Sequence, residues 1–267
     1  MKIAIITKPN MTEHSTRIGV LDMLKADADC AVYECAFLGE IPEDTDRVLA
    51  FGGDGTVLDA VRAVNGRNIP ILGVNLGNMG FLSAYEQDVD CMQVVKCLKD
   101  GTQISRMMLD VAINEDSHFN ALNEVVIKTA GTRPITLEVS VDGMFVDSFH
   151  SDGLIVSSPA GSTAYSLSAG GPVLAPGVDA TVIIPICAHS LHSRPLVVSA
   201  SSRIVVKLSG DHGATVSVDG VNKGGLINGE NVSVTKSQNE AVFLSDGKDN
   251  FYAKLLTKMN RWGTTLR

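Results

Sequence analysis

The apolar positions of the chain follow two different patterns, and the change falls near residue 105. Before it, short apolar runs alternate with segments whose apolar residues recur every three or four positions. KIAIIT (2–7) reads as a buried strand, broken by Pro9 and Asn10, because a short apolar run bounded by turn formers suits a strand covered on both faces. Thr12 is placed to cap a helix running to about Lys25, with Ile18, Leu21 and Leu24 along one side. ADCAVYECA then reads as a strand, DRVLAFGGDGT as a strand entering a glycine turn, VLDAVRAV as a helix starting near Thr56, and IPILGVN as another strand. A further helix is expected from about Val89 to Lys99, closed by Asp100-Gly101. Strands alternating with helices predict a mostly parallel, Rossmann-like α/β domain over 1–104.

After residue 105 the runs shorten and become β-rich: HFNALNEVVIKTA, ITLEVSVDGMFVDSF, GLIVSS, RPLVVS, SRIVVKLS, ATVSVDG, ENVSVTKS and AVFLSD. Gly, Asn, Asp and Ser separate them, as expected for an all-β, sandwich-like domain over 105–250. VSVDG occurs at 139–143 and again at 216–220. Alternating Val leading into Asp-Gly is a tight-hairpin signal, so the echo reads as recurring turn chemistry and not as a repeat. The last stretch, 251–267, begins FYAKLLTKMN and is expected to pack back on the N-terminal domain.

Composition narrows the partners. The 267 residues are 45% hydrophobic and carry a formal charge of -8, with a mean hydropathy of +0.16. That is enough apolar material for one large core or two smaller ones. No apolar run reaches the ~18 residues of a membrane span, and the first residues resemble a strand and not a signal peptide. With no basic run, neither nucleic acid nor an anionic membrane surface is an expected partner. Cys30, Cys35, Cys91, Cys97 and Cys187 show no CxxC or metal spacing, which fits reduced, mostly buried thiols in a cytoplasmic protein.

The chemistry concentrates in four segments. In LAFGGDGTVLDA (49–60) a strand ends at Phe51, and Gly52, Gly53 and Gly55 precede a helix near Thr56. Glycines at such a turn let backbone N–H groups approach an anion, and the helix N-terminus adds favourable partial charge. The loop is neither GxxxxGK[ST] nor GxGxxG. Asp54 within a phosphate cradle is unfavourable electrostatically unless it holds Mg²⁺ or accepts a proton from an attacking hydroxyl; the plain alternative is a turn Asp capping the next helix. GVNLGNMGFL (73–82) would lie beside this loop at the carboxyl edge of the sheet. There Asn75 and Asn78 could bond a nucleotide and Phe81 could stack on one, unless Phe81 is simply core. DGLIVSSPAGSTAYSLSAGGP (152–172) is dense in small hydroxyl residues around Tyr165, suiting a close-fitting polar ligand or an ordinary loop. ALNEVVI (121–127) sets Asn123 and Glu124 just before a strand, where an amide and a carboxylate suit ribose hydroxyls. His189 and His192 lack a carboxylate cluster to make a metal site, and no GxSxG elbow supports acyl transfer.

GGDGT, GNMGFL, LNEVVI and DGLIVSSPAGSTAYSLSAGGP in this order closely resemble the NAD kinase family over essentially the whole chain. GGDGT alone is shared with diacylglycerol and sphingoid kinases; joined to NE and GSTAYSLSAGGP it is specific. The resemblance implies an active site in a cleft between the two domains and phosphorylation of the adenosine ribose 2′-hydroxyl of NAD. It also implies Mg²⁺, ATP or polyphosphate as donor, and a homodimer or homotetramer in which NAD touches a second subunit. By that resemblance Asp54 is the base, Gly55 lies against the nucleotide, and Gly52, Gly53, Gly55 and Thr56 hold the donor phosphates. Asn123 and Glu124 would hold NAD. Asp152 and the run Thr163, Ala164, Tyr165, Ser166, Leu167 and Ser168 would enclose its base and ribose, and Phe81 would wall the pocket. No protein metal ligand is implied, the Mg²⁺ travelling on the donor. The chain departs from common family forms at His150, where many members carry Arg, at Leu76, and at Ala160, where Thr is frequent; Arg133 stands where a basic group often follows the NE segment. A lipid-type kinase and an inactive nucleotide-binding regulator are the alternatives.

Overall fold

The computed structural model describes residues 1–36, 39–77, 80–190, 192–248 and 250–264. The chain forms two compact units, Met1–Ser105 with Ala241–Arg267, and Arg106–Glu240. Residues 241–250, which the sequence pattern assigned to the second domain, therefore belong to the first.

The first unit opens with β1 (Lys2–Thr7), α1 (Ser15–Ala26), β2 (Ala31–Cys35), β3 (Arg47–Gly52), α2 (Asp54–Val64), β4 (Ile71–Asn75) and α3 (Cys91–Asp100). The strands run in the order β2-β1-β3-β4, all parallel. Succession along the chain reverses direction between β1 and β3, the kind of switch point outside whose carboxyl edge α/β sheets bind ligands. Strand residues alternate between two covered faces. Ile3, Ile5, Leu49, Phe51, Leu72 and Val74 pack against Val20, Leu21 and Leu24 of α1 and Val94 and Leu98 of α3. Helix α2 takes the opposite face, where a Cβ on Gly73 would lie 3.0 Å from the Val57 side chain. Ile18 is exposed instead of joining the buried stripe of α1. Nor does Thr12 cap that helix. Residues Pro9–Met11 form a 3-10 turn, the Thr12 hydroxyl donates to the Pro9 carbonyl, and His14 caps α1. Asn65 ends α2 at φ 47, a left-handed cap that Asn tolerates well.

The second unit contains most of β5 (Thr102–Ile113), then β6 (Ser117–Ala121), β7 (Glu124–Thr129), β8 (Ile135–Val141), β9 (Met144–Ser151) and β10 (Gly153–Ser157). After the one-turn helix α4 (Tyr165–Ser168) come β11 (Ala180–Ile186), β12 (Leu196–Ser199), β13 (Ile204–Ser209), β14 (Ala214–Val218), β15 (Val221–Leu226) and β16 (Asn231–Ser245). One sheet has the order β12-β11-β10-β7-β14-β15 and is antiparallel throughout. A second is built on β8, β9, β13 and the first half of β16. Val125, Ile127, Leu154 and Val156 of the first sheet meet Leu137, Val139, Ile204, Val206 and Val232 of the second in one core, giving the expected sandwich. Both VSVDG segments close hairpins, with Asp142-Gly143 and Asp219-Gly220 at positive φ. The outer face of the six-stranded sheet is buried too: Val126, Ile155, Val182 and Ile184 pack under Ala169 and Leu174 of the 158–178 segment.

The last residues of β16 pair in the first unit, Phe243 with Ile71, and α5 (Phe251–Thr264) follows. Of the five thiols only Cys97 is buried; Cys187 is exposed in a turn at φ 48. Among the described residues no helix is long and apolar enough to cross a membrane.

Candidate functional site

In the first unit the glycine loop follows β3 directly. Gly53 is the N-cap of α2 and Asp54 its first residue, so the helix begins two positions before Thr56, where it was expected. Gly52 must be glycine, because a Cβ would overlap the buried Thr56 side chain; Gly53 and Gly55 face open space. Thr56 N–H closes back on the Gly53 carbonyl at 2.9 Å. The free N–H groups of a first helical turn point along its axis, into the space a phosphate would take.

Asp54 does not cap that helix. Its Oδ2 accepts from Phe81 N–H at 2.9 Å and its Oδ1 from Leu82 N–H at 3.0 Å. The loop after β4 thus locks the carboxylate in one orientation, while each oxygen keeps a lone pair for a further donor. The loop passes so close that a methyl on Gly80 would overlap Asp54 Oδ1. The Phe81 ring is half-buried, 6.1 Å from that of Phe251, with Lys258 Nζ 4.1 Å from its centroid. Asn75 is fully buried and committed elsewhere: its amide donates to Glu86 and accepts from Gly77 N–H. Asn78 lies outside the described residues. Leu76 is core.

In the second unit Asn123 and Glu124 enter β7 on a turn held by a residue that sequence reading passed over. Asp219, at the tip of the second VSVDG hairpin and 6% exposed, accepts from Leu122, Asn123 and Glu124 N–H at 2.8, 2.8 and 3.1 Å. The Asp-Gly turn signal concealed this role, since an Asp is equally apt for the turn itself. Glu124 is 7% exposed, and its Oε2, like Asn123 Oδ1, is buried without a hydrogen-bond partner. Buried polar atoms left unpaired are costly, and a ligand that pairs them recovers that cost. Burial first, and the Asp219 carboxylate second, push the Glu124 pKa up to about 8. At neutral pH the side chain is therefore mostly a carboxylic acid, able to donate as well as accept.

The 157–171 segment closes over this turn. Ser158 N–H donates to the Asn123 carbonyl at 2.8 Å, the Ser158 hydroxyl donates to the Leu122 carbonyl, and a Cβ on Gly161 would overlap the Asn123 carbonyl. Ser162 donates to the Pro159 carbonyl and accepts from Leu174 N–H, and Thr163 donates to the Ala160 carbonyl. Much of the hydroxyl density therefore serves the loop itself. Ser166 is fully buried with its Oγ unpaired, whereas Tyr165 and Ser168 are exposed and Ala164 and Leu167 half-buried.

Asp152 falls at the other end of that six-stranded sheet, whereas Arg133 lies in the connection from β7 to β8 and His150 in β9 of the second sheet. Ser157 pairs with Glu124 but Gly153 with Lys128, and Thr129 N–H donates to the Asp152 carbonyl. Four to five residues along a strand is about 15 Å. His150 is exposed, its ring 5.2 Å from that of His189, and Arg133 is exposed. Among the described residues no group of three or more His, Cys, Asp or Glu could hold a metal ion.

Glu124 makes a prediction about pH. Its pKa is 4.5 in the free side chain and about 8 in the fold. Between those values the folded state keeps a proton that the unfolded chain releases, so stability present below the lower pH is lost as pH rises through the higher. Glu124→Gln, which does not ionise, escapes this loss. Melting curves of the nucleotide-free protein are expected to show the variant gaining on wild type by roughly a few °C from pH 5 to pH 8. Parallel curves would show that Glu124 ionises freely.

Two family models match the chain, the ATP-NAD kinase N-terminal domain over residues 3–101 and the ATP-NAD kinase C-terminal domain over 122–245. An NAD kinase from Syntrophotalea carbinolica is 41% identical over 233 residues, covering 84% of this chain and 81% of that one. An NAD kinase from Methanosphaera stadtmanae is 44% identical over 225 residues, covering 81% and 79%. Among solved structures, an Archaeoglobus fulgidus NAD kinase in complex with ATP aligns with a TM-score of 0.82 at 28% identity, covering 97% of this chain and 99% of that one. A yeast NADH kinase complexed with NADH aligns with a TM-score of 0.81 at 25% identity, covering 96% and 86%.

Proposed function

Because this chain belongs to the NAD kinase family, and its activity is accordingly the phosphorylation of NAD to NADP, we propose that Asp54 is the base of the reaction and that ATP is the donor. The observation that carries this reading is the Asp54 carboxylate, held by two backbone N–H groups beside an open glycine loop at a helix N-terminus. One oxygen of Asp54 takes the proton of the ribose 2′-hydroxyl. The ribose oxygen forms a bond to the γ-phosphorus, the bond from that phosphorus to the β–γ bridging oxygen breaks, and ADP leaves. A sugar hydroxyl is a poor nucleophile at neutral pH, and a positioned base adds about 10²–10⁴-fold. Backbone N–H groups of the loop take up charge on the phosphates.

Glu124 and Asn123 are assigned to NAD, supported by their buried, unpaired oxygens. Thr163 to Ser168 flank them, with the Ser166 hydroxyl as the buried member. Mg²⁺ would neutralise charge on the donor phosphates. It would be carried in on ATP. The ~15 Å between the Glu124 and Asp152 ends of the sheet favours a homodimer or homotetramer in which Arg133, His150 and Asp152 meet NAD bound to a second copy; gel filtration of the active protein as a monomer would contradict it. Free thiols at all five cysteines suit a cytoplasmic setting.

The test of function is NADP formation by purified protein with NAD, Mg²⁺ and either ATP or polyphosphate, beside a lipid-substrate screen. NADP with ATP is the expected product. Folded protein that phosphorylates only lipid, or that binds nucleotide without turnover, would overturn the reading; the relatives described above are named NAD or NADH kinases.

A further inference from the structure

Helix α5 docks on the loop that carries Phe81. Lys254 Nζ donates to the Ser83 carbonyl at 2.8 Å, and the Phe251 and Phe81 rings are neighbours. One turn on, Lys258 holds its ammonium 4.1 Å from the Phe81 ring centroid, and the N–H of that same Phe81 fixes Asp54 Oδ2. The ammonium is half-buried. Burial pulls its pKa below the ordinary lysine range, against the opposing influence of the Asp54 and Glu86 carboxylates. Glu86 accepts from the Asn75 amide. Lys258 itself forms no ion pair among the described residues, whereas Arg17 and Arg62 in the same unit are closed on Glu34 and Asp59.

A half-buried ammonium has three donors and pays a desolvation cost that a ring face offsets only in part. The natural complement is an anion rich in acceptor oxygens. In phosphoryl transfer the migrating group spreads charge over three equatorial oxygens close to the attacking hydroxyl. We propose that Lys258 is a phosphate-binding residue of this reaction, its ammonium contacting the γ-phosphoryl oxygens of ATP as the group passes to the ribose, with the Phe81 ring as its seat. It transfers no proton: the hydroxyl proton goes to Asp54 and the bonding pair of the broken P–O bond to ADP. The inference rests on the reading of Asp54 as the base.

Full-length Lys258→Met and Lys258→Arg test it. The Met variant is expected to lose about 10²–10³-fold in kcat/KM for ATP, with NAD affinity and melting temperature nearly unchanged. Arg, which keeps the charge, should restore most of the loss. In the pH profile of kcat/KM for ATP, the wild-type value should fall on the alkaline side as the ammonium deprotonates, facing Asp54 and Glu86. That fall should be absent in Lys258→Arg, whose guanidinium stays charged. A Met variant with wild-type kcat/KM, or a loss that Arg does not restore and that accompanies a lowered melting temperature, would reduce Lys258 to a packing role. A wild-type protein that makes no NADP would instead overturn the underlying reading, and this inference with it.

Discussion

Asp54→Asn is expected to lower kcat for NADP formation by about 10²–10⁴-fold while NAD affinity changes by no more than a few fold. Asn has the shape of Asp but cannot take a proton from the ribose hydroxyl. It also cannot accept at both positions, so one of the two N–H bonds from Phe81 and Leu82 is lost, at about 1–3 kcal/mol. A modest fall in melting temperature should therefore accompany a collapse in rate. Steady-state kinetics and calorimetric NAD binding on one preparation separate the two effects. A variant that retains turnover would remove Asp54 from the role of base.

Gly80→Ala is expected to produce almost as large a loss with Asp54 still present. The added methyl would overlap Asp54 Oδ1. What yields is the Asp54 carboxylate, which two N–H bonds hold in place, so a stability cost of at least about 1–3 kcal/mol should accompany the loss of rate. The carboxylate, pushed off its two N–H donors, would sit about an ångström out of place, and a displacement of that order costs ~10²-fold in rate. The informative comparison is the double variant with Asp54→Asn. Once the base is gone its misplacement should no longer matter, so Gly80→Ala should add little to Asp54→Asn. Full additivity would mean that Gly80 acts through something other than Asp54.

The parts of the site that were legible in sequence are those whose chemistry is local. GGDGT announces itself because the glycines, the acid and the helix start are consecutive, and Asn123-Glu124 because an amide and an acid immediately precede a strand. The two-domain architecture was legible for the same reason, since strand and helix periodicities are written over a few residues. One misreading was local, and the others arose where distant segments decide. The Thr12 hydroxyl was claimed by the Pro9 carbonyl in a 3-10 turn, which left the cap of α1 to His14. Residues 241–250 read as one more strand of a β domain, yet Phe243 pairs with Ile71, far away in the chain. Asp219 looked like turn chemistry because its three N–H donors lie 95 to 97 residues earlier. Gly80 stood in the GNMGFL segment with no role of its own, and Lys258 carried no local signal. Each acquires meaning only from its approach to Asp54 or Phe81, which the fold creates. The hydroxyl-rich segment divides: the Ser166 hydroxyl is buried and unpaired, whereas Ser158 is spent on the Asn123 turn and Ser162 on bonds to Pro159 and Leu174 within the segment itself.

The most direct test of Asp54 as the base is a single-turnover experiment on a preassembled complex of enzyme, NAD and ATP with Mg²⁺. The rate of NADP appearance is followed by rapid quench for wild type and Asp54→Asn, with both enzymes shown to be saturated. Asp54 as base predicts a slow chemical step in the variant, down by about 10²–10⁴-fold, from a complex of near-normal occupancy. A variant that forms NADP at the wild-type rate once the complex is assembled would contradict it.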